Sequence, residues 1–181
     1  MSEISSCALC GNLVKLSDDC LLQKGKTNFI VVGESPAKNG WIVSKKAFFD
    51  ANGKLQASGR VLQKLLDILN ISITDIYFTE ACKCIIEDRK NLEKCAQNCL
   101  PHLKKQLAKL PCKVILTMGL HPTQALLGTK IKKFSDFVGK EFDFKVDEKK
   151  FILIPIYHPS PLNPKGYSGN VEIFQKLKKY N

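Results

Sequence analysis

The chain has 181 residues, 44% of them hydrophobic and 25% charged, a balance that fits one soluble globular domain spanning residues 1–181. No apolar run approaches the ~20 residues that a membrane helix needs, and the N-terminus lacks the basic and apolar regions of a secretory signal, so a cytoplasmic monomer without a membrane partner is expected. The net charge of +11 is uneven: residues 1–100 carry 13 basic and 11 acidic side chains, residues 101–181 carry 15 and 6, and such a basic half favours a polyanionic partner.

Along the chain, FIVVG (29–33) is a β-branched apolar run closed by glycine and reads as a buried strand. A long polar connection runs from Glu34 to about Ala57; Trp41, Phe48 and Phe49 within it argue against disorder. In SGRVLQKLLDILN (58–70) the spacing of Val61, Leu62, Leu65, Leu66 and Leu69 predicts a helix with Ser58 as its N-cap. IYFTE (76–80) is a second strand. Residues 91–110 are helical in pattern, with a break or fresh start expected at Pro101. KVILTMG (113–119) is a third strand, followed by a short helix after Pro122. Residues 133–150 alternate apolar and polar positions, as a β-excursion would, and FILIPIY (151–157) is the last strand. Val171, Ile173, Phe174, Leu177 and Tyr180 mark a closing amphipathic helix.

Strands alternating with helices imply a mostly parallel sheet covered on both faces, with ligands bound at the carboxyl ends of the strands. Three strands run there into chemically loaded loops: Gly33-Glu34-Ser35-Pro36, Thr79-Glu80 and His158-Pro159-Ser160. The last, HPSPLNPKGYSGN (158–170), places one of only three histidines at the mouth of a loop with three prolines and two glycines.

Eight cysteines in a cytosolic chain point to metal or cluster ligation rather than disulfides. Cys7 and Cys10 form a C-x2-C pair, and Cys84 and Cys99 flank a polar loop. Four thiolates would close a tetrahedral zinc site or hold a 4Fe-4S cluster; one tight pair with two distant singles favours the cluster. Cys82 and Cys95 compete as ligands on spacing alone, whereas Cys20 and Cys112 read as buried or incidental thiols. A cluster here would staple the N-terminus to a long loop, without a redox role.

In their order along the chain, the C-x2-C pair, GESPAKNGW (33–41), AFF (47–49), SGRVLQKLL (58–66), YFTEACKC (77–84), CLPHLKKQL (99–107), KVILTMG (113–119) and YHPSPLN (157–163) together resemble the uracil-DNA glycosylase superfamily, most closely its iron–sulfur branch. The resemblance covers nearly the whole chain. It implies a three-layer α/β/α sandwich with a central four-stranded mostly parallel sheet, and hydrolysis of the N-glycosidic bond to a damaged base in DNA, uracil by default. Such a base must leave the duplex stack to reach a pocket.

By this resemblance Glu34 activates or positions the attacking water and His158 donates a hydrogen bond to the departing base. Gly33, Ser35, Phe48, Phe49 and Glu80 contact the base, either phenylalanine stacking on it. Pro159, Ser160 and Pro161 form a stiff wedge into DNA, with Ser160 on a phosphate and Lys165 and Asn170 on the backbone. Cys7, Cys10, Cys84 and Cys99 hold the cluster. Three departures from the family pattern stand out. Glu80 occupies a position where the iron–sulfur branch usually has asparagine, Ala37 replaces a glycine, and HPSPLN is closer to the wedge of other branches. An ionised Glu80 accepts from the pyrimidine N3–H but cannot donate to O4; a protonated one does both. A glycosylase-like fold that binds nucleic acid without cutting it, and a nucleoside or nucleotide hydrolase, are the competing readings.

Overall fold

A six-stranded sheet organises the computed structural model, which describes residues 7–10, 21–37 and 40–181. Its strands are β1 (Leu22–Gln23), β2 (Phe29–Gly33), β3 (Tyr77–Glu80), β4 (Val114–Met118), β5 (Phe142–Val146) and β6 (Lys149–Ile156). Their spatial order is β1-β3-β2-β4-β6-β5. The four inner strands, β3, β2, β4 and β6, are parallel and are the four that the sequence pattern predicts. The sheet is nevertheless wider than four strands: β1 adds antiparallel to β3, and β5 turns back antiparallel on β6 through the 142–156 hairpin. β5 was legible only as an alternating stretch, because its outer face stays exposed.

Helices cover both faces. On one side lie α2 (Ala57–Leu66) and α5 (Ser168–Lys176), packed with Phe29, Val31, Phe78 and Leu116 into one core; the short α1 (Trp41–Ser44) adds Trp41. On the other lie α3 (Leu92–Lys109) and α4 (Leu120–Leu127), packed with Ile30, Val32, Ile115 and Leu153. Successive strand residues alternate between the two cores because side chains on a strand point to opposite faces. The result is the expected three-layer sandwich.

Three local expectations change. The N-cap of α2 is Gln56, not Ser58, which already lies inside the helix. Pro101 does not break α3, which runs unbroken across it. The carbonyl that loses its donor is that of Gln97, on the exposed face, where the lost bond is least costly. Pro122 sits in the first turn of α4 rather than before it, where its missing N–H costs nothing. Among the described residues no helix is long and apolar enough to cross a membrane.

Candidate functional site

The carboxyl ends of β2, β3, β4 and β6 frame a cavity of about 170 Å³, lined among others by Glu34, Ser35, Trp41, Phe48, Phe78, Glu80, Met118 and His158. That is below the ~300–1,000 Å³ of sites for drug-sized molecules and suits a single small ring. Each strand end delivers its residue for a simple reason. Parallel strands all finish on one edge, so the loops that follow them converge there. The pairing of β2 and β3 continues past both strands, through Ala81 N–H to Gly33 O and Cys82 N–H to Glu34 O. This fixes the Glu34 backbone.

Glu80 closes β3 with its side chain on the same face as Phe78. It is buried, and its Oε2 has no hydrogen-bond partner. Burial raises its carboxyl to a pKa of about 8, the charge of Lys83 opposing the rise and that of Glu34 adding to it. At neutral pH Glu80 is therefore a neutral acid with one donor and one acceptor. Gly33 lies beneath it: a Cβ there would stand 2.1 Å from Glu80 Oε2. Gly33 is not among the cavity-lining residues; it yields the room that the Glu80 side chain occupies.

Glu34 is held end-on by Arg89: Nη2–H donates to Oε2 at 3.1 Å, and Nη1 pairs with Oε1 at 2.9 Å. His121, in the first turn of α4, places Nε2 at 3.8 Å from the same Oε2, and its Nδ1 is buried without a partner. Phe48 lines the cavity and packs edge-on against Phe78 at 4.5 Å between centroids. Its backbone is left-handed, φ 67°, a strained conformation for an aromatic residue. Phe49 is not among the lining residues; it packs on the α2–α5 core with Lys46 over its ring. The sequence left these two phenylalanines undivided, and the fold divides them.

His158 follows β6 after the single residue Tyr157 and is half-buried. Burial lowers its pKa; the Glu34 carboxylate opposes this and Arg89 reinforces it. Its carbonyl accepts from Ser160 N–H at 2.8 Å and Asn163 Nδ2 at 3.1 Å. Beyond it Pro159 is buried, Ser160 half-buried and Pro161 exposed. The tip is Leu162, whose side chain is 93% exposed. Lys165 reaches back over the Tyr157 ring at 5.5 Å. Asn170 corrects the sequence reading. It is fully buried, donates to the carbonyls of Tyr157 and Gly166 and accepts from Tyr157 N–H, so it staples both ends of the loop and has no surface to offer DNA. Gly166 likewise faces inward, since a Cβ there would meet Ser160 O at 2.6 Å.

A glutamate and a half-buried histidine whose pKa is lowered thus face one small cavity from two strand ends, with an apolar-tipped loop beside them. The model of the uracil DNA glycosylase superfamily matches residues 21–179, which include every one of these elements. The chain belongs to the uracil-DNA glycosylase superfamily. Among its relatives is a type-4 uracil-DNA glycosylase of Sulfurisphaera tokodaii, 28% identical over 97% of this chain and 80% of the relative. Proteins of the same name from Saccharolobus solfataricus (26%, over 97% of this chain and 82% of the relative) and Pyrobaculum aerophilum (29%, over 82% and 80%) are similar too.

On the opposite face of this glycosylase fold the cysteines gather. Asn98 of α3 donates to Leu9 O at 3.0 Å and to Cys10 Sγ at 3.4 Å, tying residues 7–10 to the helix. Lys83 N–H points at Cys99 Sγ, 3.3 Å away. Burial raises the Cys99 thiol; the Lys83 N–H and charge lower it, while Cys10 and Cys7 raise it again. Cys95, one helical turn before Cys99, is pushed up to about 12 by burial, by a hydrogen bond with Cys10 and by Cys10, Cys99 and Cys84. Cys7, Cys10, Cys84 and Cys99 are therefore neighbours, with Cys95 among them. Cys82 lies beside them as well: fully buried, its thiol pKa is raised by burial and then by Cys99 and Cys95, and it donates to Leu92 O at 3.6 Å. Cys112 is buried under the sheet, as expected, and Cys20 lies outside the described residues.

Among the described residues no three metal-ligating side chains converge closely enough to hold a single ion. One zinc would draw its sulfurs to within about 4 Å of one another. Cysteine sulfurs brought together from the 7–10 segment, the segment after β3 and α3 are a soft donor set of the kind a shared multi-iron centre takes.

Sequence reasoning missed Arg89, His121 and Leu162. Arg89 lies 55 positions from Glu34 in a charged run with no motif, and only the fold brings the two together.

Proposed function

We propose that this protein is a uracil-DNA glycosylase: it hydrolyses the N-glycosidic bond of uracil in DNA, as the first step of base excision repair in the cytoplasm, as a monomer. The observation that carries the reading is Glu80, a buried carboxyl with its pKa raised to about 8 and its Oε2 unpaired, in a cavity sized for one ring. Its O–H donates to the uracil O4 and its carbonyl accepts from N3–H, as an asparagine amide would. Phe48 stacks on the flipped base, while Phe49 supports it from the core. Ser35 completes the wall, and Gly33 acts on the base through the room it leaves for Glu80.

The bond from C1′ to N1 breaks with its electron pair going to the base. His158, kept neutral by burial, donates an N–H to the base oxygen that gathers the negative charge. Glu34 accepts a hydrogen bond from the incoming water and offsets the positive charge on the sugar. The water oxygen bonds to C1′, and its proton leaves through the carboxylate to solvent. Pro159, Ser160 and Pro161 stiffen the loop that enters the duplex, and the exposed Leu162 supplies its apolar tip. The Ser160 hydroxyl and Lys165 contact phosphates.

Cys7, Cys10, Cys84 and Cys99 would hold a 4Fe-4S cluster, which supplies a structural tie between residues 7–10, the segment after β3 and α3. Zinc is the less suitable occupant, and Cys95 is the residue placed to substitute for a ligand. The decisive experiment is single-turnover cleavage of single- and double-stranded oligonucleotides containing uracil, hypoxanthine or xanthine, with free deoxyuridine alongside. Uracil released from oligonucleotides is the expected result. Binding without release favours a sensing module, and equal cleavage of free deoxyuridine favours a nucleoside hydrolase.

A further inference from the structure

Arg89 makes an ion pair whose two halves live in different surroundings. The Glu34 side chain is 21% exposed and the Arg89 side chain 71%. An ion pair with one partner so exposed contributes little to stability. The segment that carries it is nonetheless fixed: Asp88 accepts the N–H of Lys90 at 3.0 Å through its carboxylate and that of Asn91 at 3.0 Å through its carbonyl. A guanidinium has five N–H donors in one plane. The contact with Glu34 uses the end-on edge, where both terminal nitrogens face the carboxylate. The side edge, Nε–H with the outer N–H of one terminal nitrogen, has the fork geometry that binds an anion through two parallel hydrogen bonds.

The anion available at this place follows from the substrate. A nucleotide whose base fills the cavity carries a phosphodiester on each side of its sugar, beside Glu34 and His158. Arg89 is close enough to both for its charge to act on His158. We propose that Arg89 bridges Glu34 and the DNA backbone, its end-on edge orienting the carboxylate while its side edge binds a phosphodiester flanking the flipped nucleotide. Arg89 is thus a positioning residue for Glu34 and a phosphate contact at once, and substrate docking tightens the group that handles the water. The inference rests on the glycosylase reading of the pocket.

The test uses the full chain and uracil oligonucleotides in which the phosphate on one or the other side of the uracil is replaced by an uncharged methylphosphonate. With the unmodified protein, one of the two replacements is expected to weaken binding roughly ten-fold. Arg89→Gln weakens binding of the ordinary substrate to a similar extent, no longer responds to that replacement, and makes the plot of log affinity against log salt shallower by about 0.7–0.9. Arg89→Lys keeps the salt slope but loses single-turnover rate, because an ammonium cannot span both anions. An Arg89→Gln protein with the original salt slope and the original response to the methylphosphonate overturns the bridge, even if its rate falls. Failure of the glycosylase reading looks different: the unmodified protein then releases no uracil from any oligonucleotide.

Discussion

Thr79 and Glu80 are neighbours on one strand, and the two faces of the sheet treat them in opposite ways. On the α3 face Thr79 donates to Leu21 O at 2.6 Å, and the buried Lys83 ammonium donates to Thr79 Oγ1 and Gln106 Oε1, each at 2.7 Å, and to Glu80 O. On the other face Glu80 leaves Oε2 buried and unpaired beside Phe78, Trp41 and Met118. Both groups are costly to bury. One face offsets that cost inside the protein; the other leaves it to be offset by a ligand. An unmade bond aimed into a cavity marks a binding site more clearly than the presence of a charged residue does.

The contrast breaks most visibly at His158. Replacing it with alanine should lower the single-turnover rate on a uracil oligonucleotide by about 10²–10³-fold, with little change in melting temperature; a retained rate would remove His158 from the chemistry. On the other face the opposite pattern is expected. Lys83→Met strips the donor from three buried acceptors and should cost about 2–4 kcal/mol in urea unfolding, while the folded fraction keeps its cleavage rate. A stable but inactive Lys83→Met protein would show that the two faces are not divided as described.

Glu80 gives a pH-dependent comparison. Folding raises its carboxyl from 4.5 to about 8, so between those values the folded chain holds a proton that the unfolded chain has released. The linked stability is full below the unfolded value, falls as pH rises toward 8, and is flat beyond it. The slope is at most about 1.4 kcal/mol per pH unit. Glu80→Gln should therefore gain on the parent protein in urea unfolding as pH rises across that window. A constant difference would mean that Glu80 is ionised throughout. The smallest effect is expected at the loop tip: Leu162→Ala should slow cleavage of duplex substrate a few-fold, for want of an apolar wedge, and leave single-stranded substrate unaffected.

Much of the frame was legible because it is local. Short apolar, β-branched runs mark β2, β3, β4 and β6, helical spacing marks α2 and α5, and glycine, proline and acidic residues mark the strand ends. β1 was not legible, since two residues carry no period. The phenylalanines at 48 and 49 are equivalent in pattern, and only a left-handed turn at Phe48 points one into the cavity. Asn170 reads as a polar loop residue until its three hydrogen bonds to the loop's own backbone are seen.

The sequence by itself determined which chemically capable residues stand at strand ends, Glu34, Glu80 and His158 among them, and that the chain has thiols enough for a cluster. The tertiary structure decided their states and company. Burial made Glu80 a neutral acid and His158 a neutral donor, and chain closure across 55 positions set Arg89 on Glu34. Side-chain pattern repeats over a few residues and can be read along the chain; desolvation and long-range pairing depend on every segment that packs around a group, and exist only once the chain has folded.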